Sequence, residues 1–212
     1  MTTCHGEDGA PATAAQPTAA RLSVSYGYAH TVLSFDGQVR ADFSRHAVSV
    51  AGERPIGSRG VALLGAGGIA DGTLDTGESY SMGPGWLFFA AYGHRLLDER
   101  GAWPFLLGTV SIGATAARTA SARGESAHFT AYDARAGLTA GKVFGPATPY
   151  VAARVFGGPV LWTQHGQHLT GTDKYHYQPA VGLVLAKAPF DVSFEWAFAG
   201  EQALTAGAGM SF

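Results

Sequence analysis

Apolar residues alternate with small or polar ones through most of this chain after the first twenty residues, and this two-residue period strongly constrains the fold. In the segment DVSFEWAF, Val192, Phe194, Trp196 and Phe198 fall on one face of an extended strand, and the residues between them fall on the other face. The segment YHYQPAVGLVLA repeats the pattern. The chain is therefore predicted to be all-β.

The alternation divides into ten predicted strands joined without helices. They lie near residues 21–33, 38–50, 59–68, 84–97, 104–117, 126–143, 149–162, 174–186, 190–199 and 202–212. Short turns between consecutive strands predict an antiparallel up-and-down sheet, and closing that sheet into a barrel of about ten strands (eight being possible) removes its exposed edges. Two polar stretches, GIADGTLDTGESYSMGPG and QHGQHLTGTDK, are predicted as long loops.

The first twenty residues differ in composition from the rest of the chain. They are rich in Ala, Pro and Thr and lack both the basic and the apolar part of a signal peptide. We therefore expect a flexible leader at 1–20, which carries the one cysteine, Cys4, and a barrel domain at 21–212.

The polar faces of the strands decide which way the apolar faces point. Only 14% of the residues are charged, and the polar faces hold Gly, Ala, Ser and isolated charges instead of the Lys and Glu that cover a soluble protein. We therefore predict a membrane barrel, with apolar faces toward lipid and polar faces toward a narrow lumen; an ordinary soluble β-core is the alternative. The mid-strand charges predicted to pair across the lumen are Arg40, Asp42, Asp133, Arg135, Arg154 and Glu195.

Aromatic residues near the predicted strand ends fit the girdles that such barrels place at the membrane surface. The candidates are Tyr26, Tyr28, Trp86, Tyr92, Trp103, Tyr150, Trp162, Tyr175, Tyr177 and Trp196. The formal net charge of −2, with basic residues scattered, argues against nucleic acid as a partner.

The last strand, LTAGAGMSF, resembles the C-terminal β-signal of bacterial outer-membrane β-barrel proteins. Thr205, Gly207, Met210 and Phe212 match its polar, glycine and two aromatic positions, with Met in place of the first aromatic. Together with the alternation over 21–212, the chain is similar to small OmpA/OmpW-type barrel domains. That resemblance implies a porin-like protein of the Gram-negative cell envelope, inserted by the barrel-assembly machinery and surrounded by outer-membrane lipid and lipopolysaccharide. It also implies that both termini are periplasmic and that the long loops lie outside the cell.

A nucleotide cofactor is not expected. Gly65, Gly67 and Ala70 have the Gly-x-Gly-x-x-Ala spacing of a dinucleotide-binding turn, but the residues that follow do not favour a helix and no carboxylate lies about 20 residues later. The stretch is better interpreted as the third strand, and no cofactor is predicted.

The predicted acidic loop after the third strand contains candidate catalytic and metal-binding carboxylates. Asp75 begins an Asp-Thr-Gly triplet like that of aspartic proteases, but that chemistry needs two such carboxylates close together. Asp71, Asp75 and Glu78 have the oxygen ligands that Ca²⁺ prefers. A solvated loop without chemistry is the simpler interpretation.

Histidines gather around the other predicted loop. His165, His168 and His176 have a spacing that could bind Zn²⁺ or Cu²⁺, although exposed loop histidines are more often incidental, and we assign no metal. A pairing of Asp71 or Asp75 with His165 or His168 would be the only catalytic arrangement of the hydrolase type.

The sequence therefore predicts a non-enzymatic outer-membrane barrel with a structural, binding or narrow-passage role and a mostly plugged lumen, since about ten strands leave little interior space. The alternative is an outer-membrane hydrolase that acts on lipid A or peptides through its external loops. An envelope protein that binds the loops or the leader is a further expected partner.

Overall fold

The computed structural model describes residues 20–36, 39–164 and 167–212, which form one antiparallel sheet of twelve strands. The strands are β1 (Arg21–Phe35), β2 (Val39–Ile56), β3 (Gly60–Asp75), β4 (Ser79–Leu97), β5 (Phe105–Ser121), β6 (Ser126–Gly141), β7 (Ala147–Gly157), β8 (Val160–Gln164), β9 (Gln167–Asp173), β10 (Tyr177–Lys187), β11 (Phe190–Ala197) and β12 (Gln202–Ser211). No helix in these ranges is both long and apolar enough to cross a membrane. The predicted leader, with Cys4, lies outside the described residues apart from Ala20.

The sheet closes on itself, and it does so differently at its two ends. Over residues 21–30, β1 pairs with β12. The end of the barrel that carries Arg21 and Phe212, which we call the terminal end, is therefore a ring of β1–β7 and β10–β12. Over residues 33–35, β1 pairs with β9 instead, while β6 pairs with β7 and then with β8. The opposite end is therefore a ring of β1–β6, β8 and β9. The barrel narrows from ten strands at the terminal end to eight at the other end, which we call the cap.

The outer surface near the terminal end is a continuous apolar belt. Its side chains are between 41% and 70% exposed and point away from the lumen: Leu22, Val24, Val48, Val50, Leu64, Phe88, Val110, Ile112, Val151, Val155, Val181, Phe194, Trp196 and Leu204. A belt of this kind is the lipid-facing surface of a membrane barrel.

The cap reverses this polarity. Apart from Leu161, which is 43% exposed, most of its outward positions are polar (His30, Ser34, Arg40, Asp42, Ser44, Asp71, Thr73, Asp75, Arg118, His128, His168 and Thr170). Its inward positions form an apolar cluster of Leu33, Phe35, Ala41, Phe43, Ile69, Leu74, Tyr80, Met82, Ala117, Ala127, Phe129, Val160 and Trp162. We call this cluster the cap core. Outside the belt, therefore, the barrel is built like a soluble β-protein.

The predicted closed antiparallel barrel is confirmed, but the prediction of two long polar loops is wrong. Residues 68–85, the first of these predicted loops, are strand except for the turn at 76–78, and β9 occupies most of the other predicted loop. The reason is burial, because Ile69, Leu74, Tyr80 and Met82 alternate with polar residues and face the cap core. The predicted seventh strand is broken at 158–159 into β7 and β8.

Candidate functional site

Charged side chains occupy the lumen in two groups. The first lies near the termini, where β1 begins. Arg21 donates from Nε and Nη2 to both carboxylate oxygens of Asp191 on β11 (2.8 and 2.5 Å) and from Nη1 to Glu53 on β2. Arg21 and Asp191 are 8% and 4% exposed. This triad joins the first, second and eleventh strands across the inside of the ring.

The second group begins at the turn between β11 and β12. Glu201 in that turn is 7% exposed and accepts hydrogen bonds from Arg135 Nη1 and Nη2 at 2.7 and 3.1 Å. Arg135 also donates from Nε to Asp133 on the same strand. Because the β11–β12 hairpin is short, its turn lies within the barrel wall instead of at a rim, and this places Glu201 beside the lumen.

Gln178 extends this group around the barrel. Its Nε2 donates to Glu201 Oε1 at 2.8 Å, and its Oε1 accepts from Arg154 Nη1 at 3.0 Å. Arg154 then binds Glu195 through two hydrogen bonds of 2.6 Å, and the Tyr150 hydroxyl donates to Glu195 at 3.0 Å. The result is one continuous polar network from β6 to the β11–β12 turn along one side of the lumen.

A cavity of about 400 Å³ lies between this network and the cap core. Leu33, Phe43, Phe129 and Val160 line its cap side, and Arg135 and Glu201 line the polar side. Much of the remaining lining consists of small residues: Gly27, Ala29, Ala47, Ser111, Gly113 and Ala131. The cavity exists because these positions carry little or no side chain.

Two further charged residues line the cavity. Arg45 on β2 donates from Nη1 to Thr115 Oγ1 at 3.1 Å, and Asp173 on β9 accepts from Thr31 Oγ1 at 3.0 Å. Neither has an ion-pair partner within 4.0 Å in the part of the chain that is described. Asp173 lies in the cap, beyond the belt. Its pKa is raised to about 6, mainly because the carboxyl group is buried and also because the Glu201 carboxylate is nearby.

The structure divides the six charges that the sequence assigns to the lumen. Asp133, Arg135, Arg154 and Glu195 lie inside in the network described above. Arg40 and Asp42 instead lie on the outer face of the cap, where the side chain of Asp42 is 70% exposed. The physical reason is the reversal of polarity, because the polar face of β2 is the inner face in the belt and the outer face in the cap.

The sequence prediction missed several lumen charges: Arg21, Arg45, Glu53, Asp173, Asp191 and Glu201. Arg21, Glu53 and Asp191 lie near predicted strand ends and were not considered in the mid-strand set. Parity relative to Val48 and Val50, which point outward, would have placed Arg45 on the inner face together with Ser49. Glu201 had no such signal, because only the tertiary position of its turn brings it inside.

The predicted pairing of Asp71 or Asp75 with His168 is not assembled among the described residues. Asp71 lies on the outer face with Oδ1 at 3.9 Å from Nε2 of His46, and Asp75 accepts a hydrogen bond from the Gly77 amide at 2.9 Å. His168 lies on β9, which β1 and β2 separate from the strand of the two aspartates. His165 lies outside the described residues.

The candidate metal ligands are also apart. His168 Nδ1 is 3.0 Å from Thr163 Oγ1, whereas His176 donates from Nδ1 to the Phe156 carbonyl at 3.1 Å. Within the described ranges, no group of three or more His, Cys, Asp or Glu side chains has metal-binding geometry.

The four residues of the C-terminal signal alternate across β12. Thr205 and Gly207 face the lumen, while Met210 and Phe212 face outward and are 40% and 71% exposed. The Phe212 amide donates to the Ala20 carbonyl at 3.0 Å, which ties the two ends of the described chain together.

Comparison with known proteins shows likeness at the level of the fold. No protein-family model matches the sequence, and no curated protein does. Among solved structures, the chain is similar to the translocator domain of the autotransporter NalP from Neisseria meningitidis, with 14% identity and a TM-score of 0.54 over 92% of this chain and 89% of that one. It is also similar to the outer membrane protease OmpT from Escherichia coli, with 10% identity and a TM-score of 0.55 over 92% and 97% of the two chains. The closed ring, the apolar belt and these similarities agree, and this chain has the fold of a small bacterial outer-membrane β-barrel.

Proposed function

We propose that this protein is a non-enzymatic outer-membrane barrel with a sealed lumen, which acts as a structural and binding unit and not as a diffusion pore. One observation carries this proposal: the cap core fills the eight-stranded ring. Phe35, Tyr80, Phe129 and Trp162 are each at most 1% exposed there. Eight strands enclose an interior that side chains can fill, and an apolar filling leaves no path for water or ions.

The paired charges of the ten-stranded part support the same role. A charge buried in a narrow barrel needs a counter-ion and further hydrogen bonds. The triad of Arg21, Asp191 and Glu53 and the network centred on Arg135 and Glu201 provide these, and they connect strands that are distant in the sequence. We assign these groups to bracing the barrel wall.

Conductance across a planar bilayer tests the sealed lumen. We expect the wild-type protein to give no steady current, and we expect a double variant, Phe43→Ala with Phe129→Ala, to give intermittent current because it removes two stacked rings from the cap core (5.1 Å between centroids). Steady ohmic conductance of the wild type that changes with Arg135→Met or Glu195→Gln would instead establish a narrow polar passage and refute the proposal.

We further propose the orientation and the partners. The belt contacts outer-membrane lipid, the termini lie in the periplasm, and the cap projects from the cell, where its polar outer face meets lipopolysaccharide headgroups or an envelope protein. The match of β12 to the β-signal supports recognition by the barrel-assembly machinery. Proteolysis of intact cells tests the orientation: cleavage sites engineered into the 122–125 turn should be accessible, and sites in the 142–146 turn should be protected.

The C-terminal signal makes a separate prediction. Phe212 is 71% exposed, so Phe212→Ala should hardly change the stability of the folded barrel but should reduce its assembly in cells. The matched control is Phe190→Ala, which removes a ring of 61% exposure near the same rim. Equal loss of assembled protein in both variants would show that Phe212 acts as a lipid-facing ring and not as a signal.

A further inference from the structure

Among the residues that the structure describes, the cavity beneath the cap core is lined by one cation and one anion without ion-pair partners. The Arg45 guanidinium has five N–H donors, and its described hydrogen bond to Thr115 uses one of them. Asp173 accepts from Thr31 with one of its two oxygens. The other cavity-lining charges (Asp133, Arg135, Arg154, Glu195 and Glu201) are already in salt bridges.

The rest of the cavity has room and apolar surface for a small molecule. Its volume of about 400 Å³ falls in the range of small-molecule sites, roughly 300–1,000 Å³. Phe43 and Phe129, which stack on each other, form an apolar surface on the cap side together with Leu33 and Val160. Apolar lining with a few placed charges is the usual composition of a ligand site.

The balance of charges selects the ligand class. A simple anion bound to Arg45 would share the cavity with the Asp173 carboxylate and would be repelled by it. A simple cation bound to Asp173 would likewise share the cavity with the Arg45 guanidinium. A molecule that carries both charges places each one beside its opposite.

From this geometry we infer that the cavity binds a small zwitterion of amino-acid or dipeptide size, with its carboxylate on Arg45, its ammonium group on Asp173 and an apolar side chain against Phe43 and Phe129. The cap core closes the outer side, so the ligand enters from the terminal end. This site does not depend on the proposed sealed lumen, because the cavity could bind the ligand whether or not the barrel conducts ions.

Titration calorimetry on the refolded full chain in detergent micelles at pH 7.5 tests this inference. The probes are phenylalanine, 3-phenylpropionate, which lacks the amine, and 2-phenylethylamine, which lacks the carboxylate. We expect saturable binding of phenylalanine and at least about tenfold weaker binding of each truncated probe, because each loses a charge-assisted contact. No saturable binding of phenylalanine at millimolar concentration, or equal binding of a truncated probe, would overturn the inference.

Variants locate the site. Arg45→Gln and Asp173→Asn should each weaken phenylalanine binding by at least about tenfold. The matched controls are Arg40→Gln and Asp42→Asn, which remove the same charges from the outer face of the cap and should leave the affinity unchanged. If a cavity variant does not fold, the three probes on the wild-type protein still decide the ligand class; binding that survives Arg45→Gln in a folded protein refutes the assigned site.

Discussion

Trp162→Ala should loosen the cap while leaving the ten-stranded part of the barrel intact. Trp162 is 1% exposed, lies 4.9 Å from the Tyr80 ring in an edge-to-face contact and 5.7 Å from the Phe35 ring, and donates from Nε1 to Thr119 Oγ1 at 3.0 Å. It belongs to β8, which pairs with β6 and β9 only in the cap. The substitution therefore removes the largest side chain of the cap core without touching any strand pair of the belt.

The expected magnitude follows from the size of this burial. Truncating a fully buried tryptophan to alanine costs about 3–5 kcal/mol, which includes the loss of both aromatic contacts. Since each 1.4 kcal/mol is a factor of ten, amide hydrogen exchange in the cap should speed up between about a hundredfold and a few thousandfold. Exchange measured by mass spectrometry should show this over residues 160–164 and 167–173, and peptides from 180–197 should keep their wild-type rates.

The conservative variant separates packing from hydrogen bonding. Trp162→Phe keeps a ring between Tyr80 and Phe35 but loses the donor to Thr119, so we expect a cost of only about 1–2 kcal/mol. Exchange that rises equally in the cap and in 180–197 would mean that the barrel opens as one unit. That result would refute the conclusion that the cap packs independently of the ten-stranded part of the barrel.

Two other substitutions test the packing and the ion pairing inside the ten-stranded part of the barrel. Gly182→Ala should lower the free energy of unfolding in urea by about 1–3 kcal/mol, because a Cβ there would lie 2.2 Å from the Tyr150 ring. The control is Gly52→Ala, which should change that free energy little, because a Cβ at Gly52 would have nothing within 4 Å. Glu201→Gln should lower the free energy of unfolding by roughly 3 kcal/mol in the same assay, because Arg135 would lose its bidentate partner inside the barrel. A decrease below about 0.5 kcal/mol would show that the pair is solvated.

The sequence was sufficient to predict the closed barrel and its lipid-facing belt. The reason is that a strand has only two faces, so the alternation in DVSFEWAF assigns Phe194 and Trp196 to one side whatever the rest of the fold does. In the structure these side chains are 48% and 57% exposed on the outer surface. The same parity places Asp133 and Arg135 on the inner face of β6.

The cap could not be predicted in the same way, because parity assigns a face but not a height along the barrel. Trp162 and Tyr150 were expected in the aromatic girdles, but Trp162 belongs to the cap core and Tyr150 donates to Glu195 in the lumen. Polar residues around Asp71 and Asp75 suggested a loop, whereas they are the solvent-facing half of strands whose other half is buried. Only the three-dimensional barrel shows at which height along the strands the surroundings of the outer face change from lipid to water.

The narrowing of the barrel, the packed cap core and the charged network have a common origin in the short β11–β12 hairpin. Because this hairpin ends at Ala197 and Gln202, β9 pairs with β1 above it, and the ring loses two strands. An eight-stranded ring is narrow enough for side chains such as Phe35 and Trp162 to fill it, which a ten-stranded ring of the same residues would not allow. The same early turn carries Glu201 into the wall beside the lumen, where the Arg135 guanidinium and the Gln178 amide satisfy it. Lengthening the hairpin by two residue pairs should therefore displace β9 from β1 and disturb both the cap core and the network.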